Sequence, residues 1–454
     1  MDTLSDRLRT HAEQIWRAGV AAVDSFKLTA ESVQSDGDRL TVRGRAVDLK
    51  PNSKIVVVGA GKAGAGMAAG LESAVSEDLL DRVAGWVNVP DDCVRDLSRI
   101  HLCGARPAGV NEPTTEGVAG SNEIVKLLQS LSPDDVCIVL LSGGGSALMP
   151  APVDGVPLAD KLAVTRLLMR SGATIEQLNC VRTHLSNLKG GGLVRHTKAG
   201  TIISLIISDV VGDPLSVIAS GPTVAPQTTA ADAKIILSKY HDQVPSSVIA
   251  ALNRQEPTTS VINYKRVHNH IIGNNQTAVV ACEAEAMRLG YSVLNLGSNN
   301  EGIAQDVGKL LAKEALKIQQ GQGALAMPAC IVSGGEPVVN LCSNPGRGGR
   351  NQEVTLAALR HLTDTEGIAV LSGGTDGEDG PTNAAGGIVT SKTYKLARRQ
   401  GLKLDDHLAR NDAYPFLAAT NSLLMTGPTH TNVMDVRVVL IDNRIGSPFK
   451  RSGM

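Results

Sequence analysis

Short apolar runs that end in glycine recur along this chain of 454 residues. Four of them are rich in Ile, Val and Leu and cover Ile55–Val58, Cys137–Leu141, Ala329–Val332 and Ile368–Leu371. Runs of this length and composition are typical of parallel strands that are buried on both faces. The glycines after each run allow a sharp bend and bring N–H groups close to a ligand. The pattern predicts an α/β fold with a polyanion site at the carboxyl ends of its strands.

Helical spacing of apolar residues predicts the elements between these strands. An amphipathic first helix begins near Leu4, and a second helix is expected from about Ala63 to Ser76. Residues 158–188 read as two helices broken near Ser171. Residues 36–48 are polar and are expected to form a hairpin or an irregular segment. Further strands are predicted at Ile202–Ile207, His268–Ile272, Ser292–Asn295, Ser422–Met425 and Val436–Ile441.

The chain is long enough for two domains. Between Pro222 and Val261 the composition shifts towards Thr, Ser, Gln and Pro, and we place a boundary near Glu256. We therefore predict an N-terminal Rossmann-like domain over residues 1–255, with a mostly parallel sheet. A smaller C-terminal α/β domain is predicted over residues 256–454.

Composition excludes several classes of function. A net charge of −1 and only 2% aromatic residues argue against a nucleic-acid partner, which needs a basic face or stacking platforms. No apolar run approaches the roughly 18–20 residues that span a bilayer, so no membrane partner is expected. Seven scattered cysteines without a CxxC spacing, and an N-terminus without a signal peptide, predict a reducing cytoplasmic location.

The first glycine-rich turn contains a lysine. Gly59, Gly61 and Gly64 match the GxGxxG dinucleotide fingerprint, which is weak evidence by itself. The acid expected roughly 20 residues further on is not cleanly placed, since the nearest candidates, Asp91 and Asp92, lie about 30 residues beyond. Lys62 adds a point charge to the backbone donors, which suits a phosphoryl group or a carboxylate.

Two further segments are candidates for binding phosphate. The backbone and hydroxyl groups of the turn after the second run form a plausible cradle made of Ser142, Gly143, Gly144 and Ser146. A nucleophilic role for Ser146 is discounted, because the glycine two residues after it is missing. Arg182, Ser186 and Lys189 share one helix face that leads into Gly190.

Charged residues follow strands in both halves of the chain. Asp209 ends a strand and could bind Mg²⁺, accept a proton, or simply cap the next helix. Glu336 and Asp376 also come just past strands, and a basic glycine loop carries Arg347, Arg350 and Asn351. Lysine, arginine, amide cradles and oxygen ligands, without a histidine base or an activated thiol, are the components of phosphoryl transfer.

Six segments in collinear order resemble the class II glycerate 2-kinases, also called the MOFRL family. These segments are residues 58–64, 141–147, 187–191, 207–213, 346–353 and 373–377, and the resemblance covers nearly the whole chain. It implies an enzyme that uses ATP and Mg²⁺ to phosphorylate D-glycerate at its 2-hydroxyl, giving 2-phosphoglycerate and ADP. It also implies two α/β domains with the active site in the cleft between them.

Roles follow from the resemblance as hypotheses. By motif, Lys62 and Arg350 serve the reaction centre, and Asp209 is the candidate base or metal ligand near the hydroxyl. Glu336 and Asp376 are expected to hold the metal or the ribose. The remaining predicted substrate- and nucleotide-binding residues are Gly59, Gly61, Gly64, Ser142, Gly143, Gly144, Ser146, Asn187, Lys189, Gly190, Arg347 and Asn351.

Two other functions stay open at this point. One is an NAD(P)-dependent hydroxypyruvate reductase, a name that members of this family have carried. The other is a non-catalytic sensor that binds ATP or glycerate without turnover. The sequence leaves open which carboxylate is the base, which domain holds ATP, the range of acceptors, the pathway, and whether the chain forms a homodimer.

Overall fold

The computed structural model describes residues 3–107, 109–110, 112–255, 262–363 and 365–443. It divides into two compact units. The first comprises Asp24–Gly273, and the second combines Met1–Val23 with Asn274–Met454.

The strands are β1 Val33–Asp36, β2 Arg39–Val42, β3 Arg45–Asp48, β4 Ile55–Ala60, β5 Val83–Pro90, β6 Ile100–Arg106, β7 Val136–Leu141, β8 Thr201–Ile207, β9 Val267–Gly273, β10 Ser292–Asn295, β11 Ala329–Gly335, β12 Ile368–Gly374, β13 Gly386–Thr390, β14 Leu423–Leu424 and β15 Asp435–Ile441. The α-helices are α1 Leu4–Ala22, α2 Ser25–Ser32, α3 Gly64–Ala74, α4 Glu77–Leu80, α5 Thr115–Gln129, α6 Gly145–Leu148, α7 Leu158–Arg170, α8 Ile175–His184, α9 Gly192–Arg195, α10 Ala230–Ser238, α11 Ser246–Arg254, α12 Asn275–Arg288, α13 Ala304–Gln319, α14 Arg350–Arg360, α15 Ser391–Arg399, α16 Leu404–Ala409 and α17 Ala413–Ala419.

The first unit is built on a parallel sheet with the strand order β6-β5-β4-β7-β8-β9. Numbered along the chain within the sheet, this order is 3-2-1-4-5-6, that of doubly wound sheets. All residues of β4 and β7 are buried, as their continuous apolar runs predict. The order reverses between β4 and β7, and the crevice at such a point is where open α/β sheets bind ligands.

The second unit contains a mixed sheet with the order β10-β11-β15-β12-β13-β14. The prediction that Ile368–Leu371 is a parallel strand is wrong, because β12 pairs antiparallel with both β13 and β15. The strand β11, which contains the predicted run Ala329–Val332, is parallel to β10 and antiparallel to β15. Since β15 lies between β11 and β12 and runs opposite to both, the carboxyl ends of β11 and β12 still reach the same edge of the sheet.

The two units divide the chain differently from the predicted domains. The first helix belongs with the C-terminal half, because α1 packs against α12 and the indole of Trp16 donates to Gly373 O at 3.2 Å. The strand β9 completes the sheet of the first unit, so this unit continues to Gly273. The predicted boundary at Glu256 falls on residues 256–261, which lie outside the described residues.

Local predictions agree with several observed elements. The segment at residues 36–48 forms hairpins within a three-stranded antiparallel sheet, β1-β2-β3. The pair α7 and α8 is interrupted after Arg170, next to the predicted break. No apolar pattern in the sequence predicted β5, β6 or β13. Within the described residues, no helix combines the length and apolar character needed to cross a membrane.

Candidate functional site

The glycine-rich turns after β4 and β7 are in direct contact. The backbone N–H of Lys62 donates to Gly143 O at 2.9 Å, and that of Ala63 donates to Ser142 Oγ at 3.0 Å. A Cβ added to Gly61 would lie 2.0 Å from Ser142 Oγ, so only glycine permits this approach. Two of the predicted motifs therefore form one structure at the point where the strand order reverses.

Two cations border this pair of turns. A Cβ added to Gly144 would lie 3.0 Å from Nη2 of Arg106 and 3.6 Å from Cγ of Lys62. Lys62 is half-buried, whereas Arg106 is only 3% exposed. Arg106 is the last residue of β6 and was not predicted as a site residue. Both side chains bring positive charge to a turn rich in backbone donors, which favours an anionic ligand.

Next to these turns, two basic side chains contact Ser146, the second residue of α6, and a third lies close to them. Arg182 Nη2 donates to Ser146 Oγ at 2.6 Å. Lys189 Nζ donates to Ser146 O at 2.9 Å and also to Ser146 Oγ. Lys161 Nζ is buried and has no hydrogen-bond partner. We call Lys161, Arg182 and Lys189 the cation cluster.

Burial lowers the pKa of every member of the cation cluster, and repulsion between cations lowers it further for the two lysines. The pKa of Lys161 falls to about 7, first through burial and then through the charge of Arg182. Burial, followed by Arg182 and Lys161, holds the pKa of Lys189 well below its usual range. No ion pair among the described residues involves a member of this cluster. Because no carboxylate offsets the cluster, an anion bound there would favour the charged form of both lysines.

The predicted segment from Asn187 to Gly190 borders a cavity of about 880 Å³. Asn187 Nδ2 donates to Pro152 O at 3.1 Å, and Gly190 has a positive φ of 51° that glycine adopts without strain. The cavity walls also include the cations Arg195, Lys234 and Arg254. This segment thus links the cation cluster to an open space.

The candidate base and the candidate ribose acids both lie at strand ends of the first unit. Asp209 follows β8 and is half-buried. Asp91 and Asp92 come directly after β5, the neighbour of β4, and are exposed. An acid at the end of this second strand is where a dinucleotide fold positions its ribose ligand. The sheet therefore places both of these acids at that position.

In the second unit, Arg350 is held by two carboxylates. Its Nε and Nη2 donate to Asp435 at 2.6 and 3.0 Å, a two-point contact, and its Nη1 lies 2.9 Å from Glu336. Asp435 begins β15 and pairs in register with Gly335 of β11 and Gly374 of β12. The glycine turns after β11 and β12 thus flank the carboxylate that orients Arg350.

Carboxylates predominate around Arg350, and we call Glu336, Asp435, Asp376 and Glu301 the acidic cluster. Burial raises the pKa of Glu336, and although Arg350 lowers it, Asp435, Asp376 and Glu301 raise it further. Burial alone would lower the pKa of Arg350, but the charges of Asp435 and Glu336 raise it. Carboxylate oxygens are the donors that Mg²⁺ prefers, so the donor chemistry fits this ion. In the described ranges no three His, Cys, Asp or Glu side chains are grouped as metal ligands, and the metal role of Asp209, Glu336 and Asp376 stays a prediction.

A buried acid fixes the helix that carries Arg350. Asp379 is 2% exposed and accepts the backbone N–H groups of Asn351 at 3.1 Å and Gln352 at 2.8 Å, which caps α14. Asn351 is fully buried and accepts from Ser372 at 2.6 Å, so it ties α14 to β12. Arg347 is exposed, with its guanidinium 4.0 Å from the ring centroid of Tyr414.

The structure brings together part of the predicted set within each unit. Lys62 meets the turn at Gly143, Ser146 meets Lys189, and Arg350 meets Glu336. Sequence reasoning missed the residues that complete these groups, because they belong to no glycine motif. They are Arg106, Lys161, Asp379 and Asp435; Arg182 was noted only as part of a polar helix face, and Ser220 only as part of a tight polar turn.

Comparisons with known proteins cover nearly the whole chain. Residues 11–253 match the family described as a domain of unknown function, DUF4147, and residues 329–435 match the MOFRL family. The chain is 36% identical to a glycerate 2-kinase of Pyrococcus horikoshii, over 94% of this chain and 96% of the relative. It is 38% identical to a putative hydroxypyruvate reductase of Agrobacterium vitis, over 86% and 88%. A crystal structure of glycerate kinase from Thermotoga maritima matches with a TM-score of 0.84 and 31% identity, over 96% of this chain and all of that one. The chain therefore belongs to the MOFRL family of glycerate kinases.

Proposed function

We propose that this enzyme is an ATP-dependent kinase that phosphorylates D-glycerate at its 2-hydroxyl to give 2-phosphoglycerate and ADP. The observation that carries the proposal is the contact of the glycine turns after β4 and β7, with Lys62 and Arg106 beside them. Backbone donors, the half-buried Lys62 and the buried Arg106 at the switch point of a doubly wound sheet suit a phosphorylated ligand. The similarity to glycerate kinases names the acceptor.

The reaction forms one P–O bond and breaks another. The glycerate 2-hydroxyl oxygen attacks the γ-phosphorus of ATP, the bond to the β-phosphate oxygen breaks, and ADP leaves with that electron pair. The hydroxyl proton passes to a carboxylate, for which Asp209 is the candidate. Lys62 and Arg350 are assigned to the transferring phosphoryl group, whose spread negative charge they stabilise more strongly in the transition state than in the ground state.

The acidic cluster orients Arg350 for this role. Hydrogen bonds to Asp435 use two of the five guanidinium N–H donors, and the ion pair with Glu336 holds Nη1, so further donors remain for phosphoryl oxygens. Preorganised donors of this kind stabilise charge without reorganising during the reaction. Glu336 and Asp376 would hold Mg²⁺, which neutralises negative charge on the ATP phosphates when it is bound.

The experiment that tests the proposal is phosphorus NMR of the purified chain with ATP, Mg²⁺ and D-glycerate. We expect the signal of 2-phosphoglycerate to grow as that of ATP falls. A 3-phosphoglycerate signal would keep the kinase and reject the 2-hydroxyl as acceptor. Absence of any phosphorylated product would reject the kinase.

A hydroxypyruvate reductase is the second candidate function. The placement of Asp91 and Asp92 directly after β5 supports it more than their spacing in the sequence does. Oxidation of NADH by the chain with hydroxypyruvate, without ATP, would support this activity. The position of Lys62 inside the turn favours the kinase, since a nicotinamide dinucleotide site has no need for a lysine there.

Three further predictions accompany the proposal: a Rossmann-like nucleotide-binding role for the first unit, a cytoplasmic location, and a homodimer. Light scattering coupled to size exclusion tests the homodimer through the mass of the purified chain. The active site in a cleft between two domains, which the family resemblance implies, stays a prediction as well. It is tested by whether the Lys62 and Arg350 variants lose the same kinetic step.

A further inference from the structure

The cation cluster has donors and charge for which the described chain supplies no anion. Lys161 is 4% and Lys189 2% exposed, and both lie close enough to the half-buried Arg182 for its charge to lower their pKa. Buried charges in proteins are normally paired, because an isolated one loses its hydration without compensation. Two basic side chains on one hydroxyl, with a third beside them, are costly in their charged forms unless an anionic ligand completes the group.

The hydrogen bonds made at Ser146 leave further donors nearby without an acceptor. A lysine ammonium group and arginine can only donate, so with Lys189 charged Ser146 Oγ accepts from both Arg182 and Lys189. Its own hydrogen then points to Ser220 Oγ, 3.1 Å away. Ser220 accepts that bond and keeps its hydroxyl hydrogen for another acceptor. The buried Nζ of Lys161 likewise lacks an acceptor.

The backbone that presents Ser220 is strained. Ala219 and Ser220 both have positive φ angles, of 50° and 62°, which non-glycine residues rarely adopt. Backbone hydrogen bonds fix this segment to the neighbouring turn, from Gly190 N to Ser220 O at 3.0 Å and from Gly191 N to Gly221 O at 2.8 Å. Strain that the surrounding structure maintains in this way is typical of binding and catalytic sites.

We infer that the cation cluster, completed by the hydroxyl groups of Ser146 and Ser220, binds a phosphoryl group of a substrate or product. A multiply charged oxyanion fits three cations without a carboxylate better than the single charge of glycerate does. Half-buried Ser146 and Arg182 form the accessible face of the site, and the two lysines lie behind it. The inference deepens the proposed kinase by naming new residues, Lys161, Arg182 and Ser220, that hold phosphate.

Calorimetric titration of the full chain with ADP, inorganic phosphate, 2-phosphoglycerate and D-glycerate tests this site. We expect Lys161→Met and Arg182→Met each to weaken binding of at least one phosphorylated ligand roughly 10- to 100-fold, the usual effect of losing a charged hydrogen bond. A selective loss of ADP binding identifies a nucleotide phosphate as the occupant, and a selective loss of 2-phosphoglycerate binding identifies the product. Both outcomes support the inference.

Thermal stability distinguishes a binding role of Lys161 from a structural one. Because Lys161 is a buried cation without a partner, Lys161→Met should leave the Tm of the ligand-free chain unchanged or raise it, while the rise in Tm caused by the phosphorylated ligand is lost. Lys239→Met, which removes an exposed lysine, is the matched control and should behave as the wild type. Arg182→Met keeps the test decisive if the Lys161 variant does not fold, since Arg182 is only half-buried.

Two results would overturn the inference. One is unchanged affinity for all three phosphorylated ligands in both variants, and the other is a loss confined to D-glycerate. Failure of the kinase itself is distinguishable, because the wild-type chain would then form no phosphorylated glycerate although its phosphate binding still depended on the cation cluster.

Discussion

At the scale of single residues, the chemistry of this chain rests on cations in unusual surroundings. Lys62 lies in a glycine-rich turn, Arg350 is held by two carboxylates, and Lys161 is buried without a hydrogen-bond partner. The first two were predicted from their motifs. Lys161 was not, because a lysine in an amphipathic helix looks in sequence like any solvated lysine.

Lys62→Met should lower kcat by about 10³ or more with little change in KM, if the lysine acts mainly on the transferring phosphoryl group. Steady-state kinetics with ATP and D-glycerate measures both constants. Lys54→Met, which removes an exposed lysine just before β4, serves as the control. An unchanged kcat in the Lys62 variant would remove this residue from the chemistry.

Lys161 should make stability depend on pH in the alkaline range. Its pKa of about 7 in the folded chain lies below the usual value of 10.5, so the unfolded chain binds more protons between these values. Without phosphate, the free energy of unfolding of the wild type relative to Lys161→Met should therefore rise from pH 7 towards pH 10. Urea unfolding at several pH values measures this difference, and a flat difference would contradict the assignment.

At the scale of elements, glycines and caps determine how the turns and helices meet. The turns after β4 and β7 touch because Gly61 has no side chain, and α14 begins where it does because Asp379 accepts its first N–H groups. The glycine motif is visible in the sequence. The cap is not, since Asp379 comes 29 residues after Arg350 and approaches it only through the fold of β12 and the following loop.

Gly61→Ala should destabilise the first unit by about 2 kcal/mol or more, since the added Cβ would lie 2.0 Å from Ser142 Oγ. Gly172→Ala provides the comparison, because it also has a positive φ, of 71°, but no atom within 4 Å of the added Cβ. We expect a loss of about 1 kcal/mol there, due to backbone strain alone. Thermal unfolding of both variants checks the difference.

Asp379→Asn should remove a pH dependence of folding stability whose sign is opposite to that expected from Lys161. Burial, followed by the charge of Asp435, raises the pKa of Asp379 from 3.8 to about 7, so the folded chain binds more protons than the unfolded one between these values. Stability of the wild type relative to Asp379→Asn should fall from pH 4 to pH 7, by at most about 1.4 kcal/mol per pH unit. Unfolding curves across this range measure it, and equal slopes would contradict the raised pKa.

At the scale of the whole molecule, the structural units do not follow the order of segments along the chain. The first helix completes the C-terminal unit, where Trp16 is 1% exposed and donates to Gly373, and the sulfur of Cys282 donates to Ile15 O. Its apolar spacing predicts a buried face but carries no information about the partner. Only the long-range contacts made on folding decide that.

Deletion of residues 1–23 should therefore destabilise the C-terminal unit and spare the first one. The chain has two tryptophans, Trp16 in the second unit and Trp86 in the first, so deletion leaves Trp86 as the sole tryptophan. Its fluorescence transition should match that of full-length Trp16→Phe, while tritium or deuterium exchange in β11, β12 and β15 becomes faster. Protection of these strands equal to that of the full chain would contradict this prediction.

The sequence by itself determined what local chemistry determines: buried strands from continuous apolar runs, turns from glycine, and cations within those turns. With its motifs it also indicated the family, which the comparisons confirmed. Tertiary structure decided that β15 enters between β11 and β12 against their direction, and that α1 joins the second unit. It also brought Arg182 and Lys189 against Ser146, with Lys161 near them, and Asp435 against Arg350. The physical reason is that strand order, helix partners and buried charge depend on contacts between residues far apart in the chain, which no local pattern encodes.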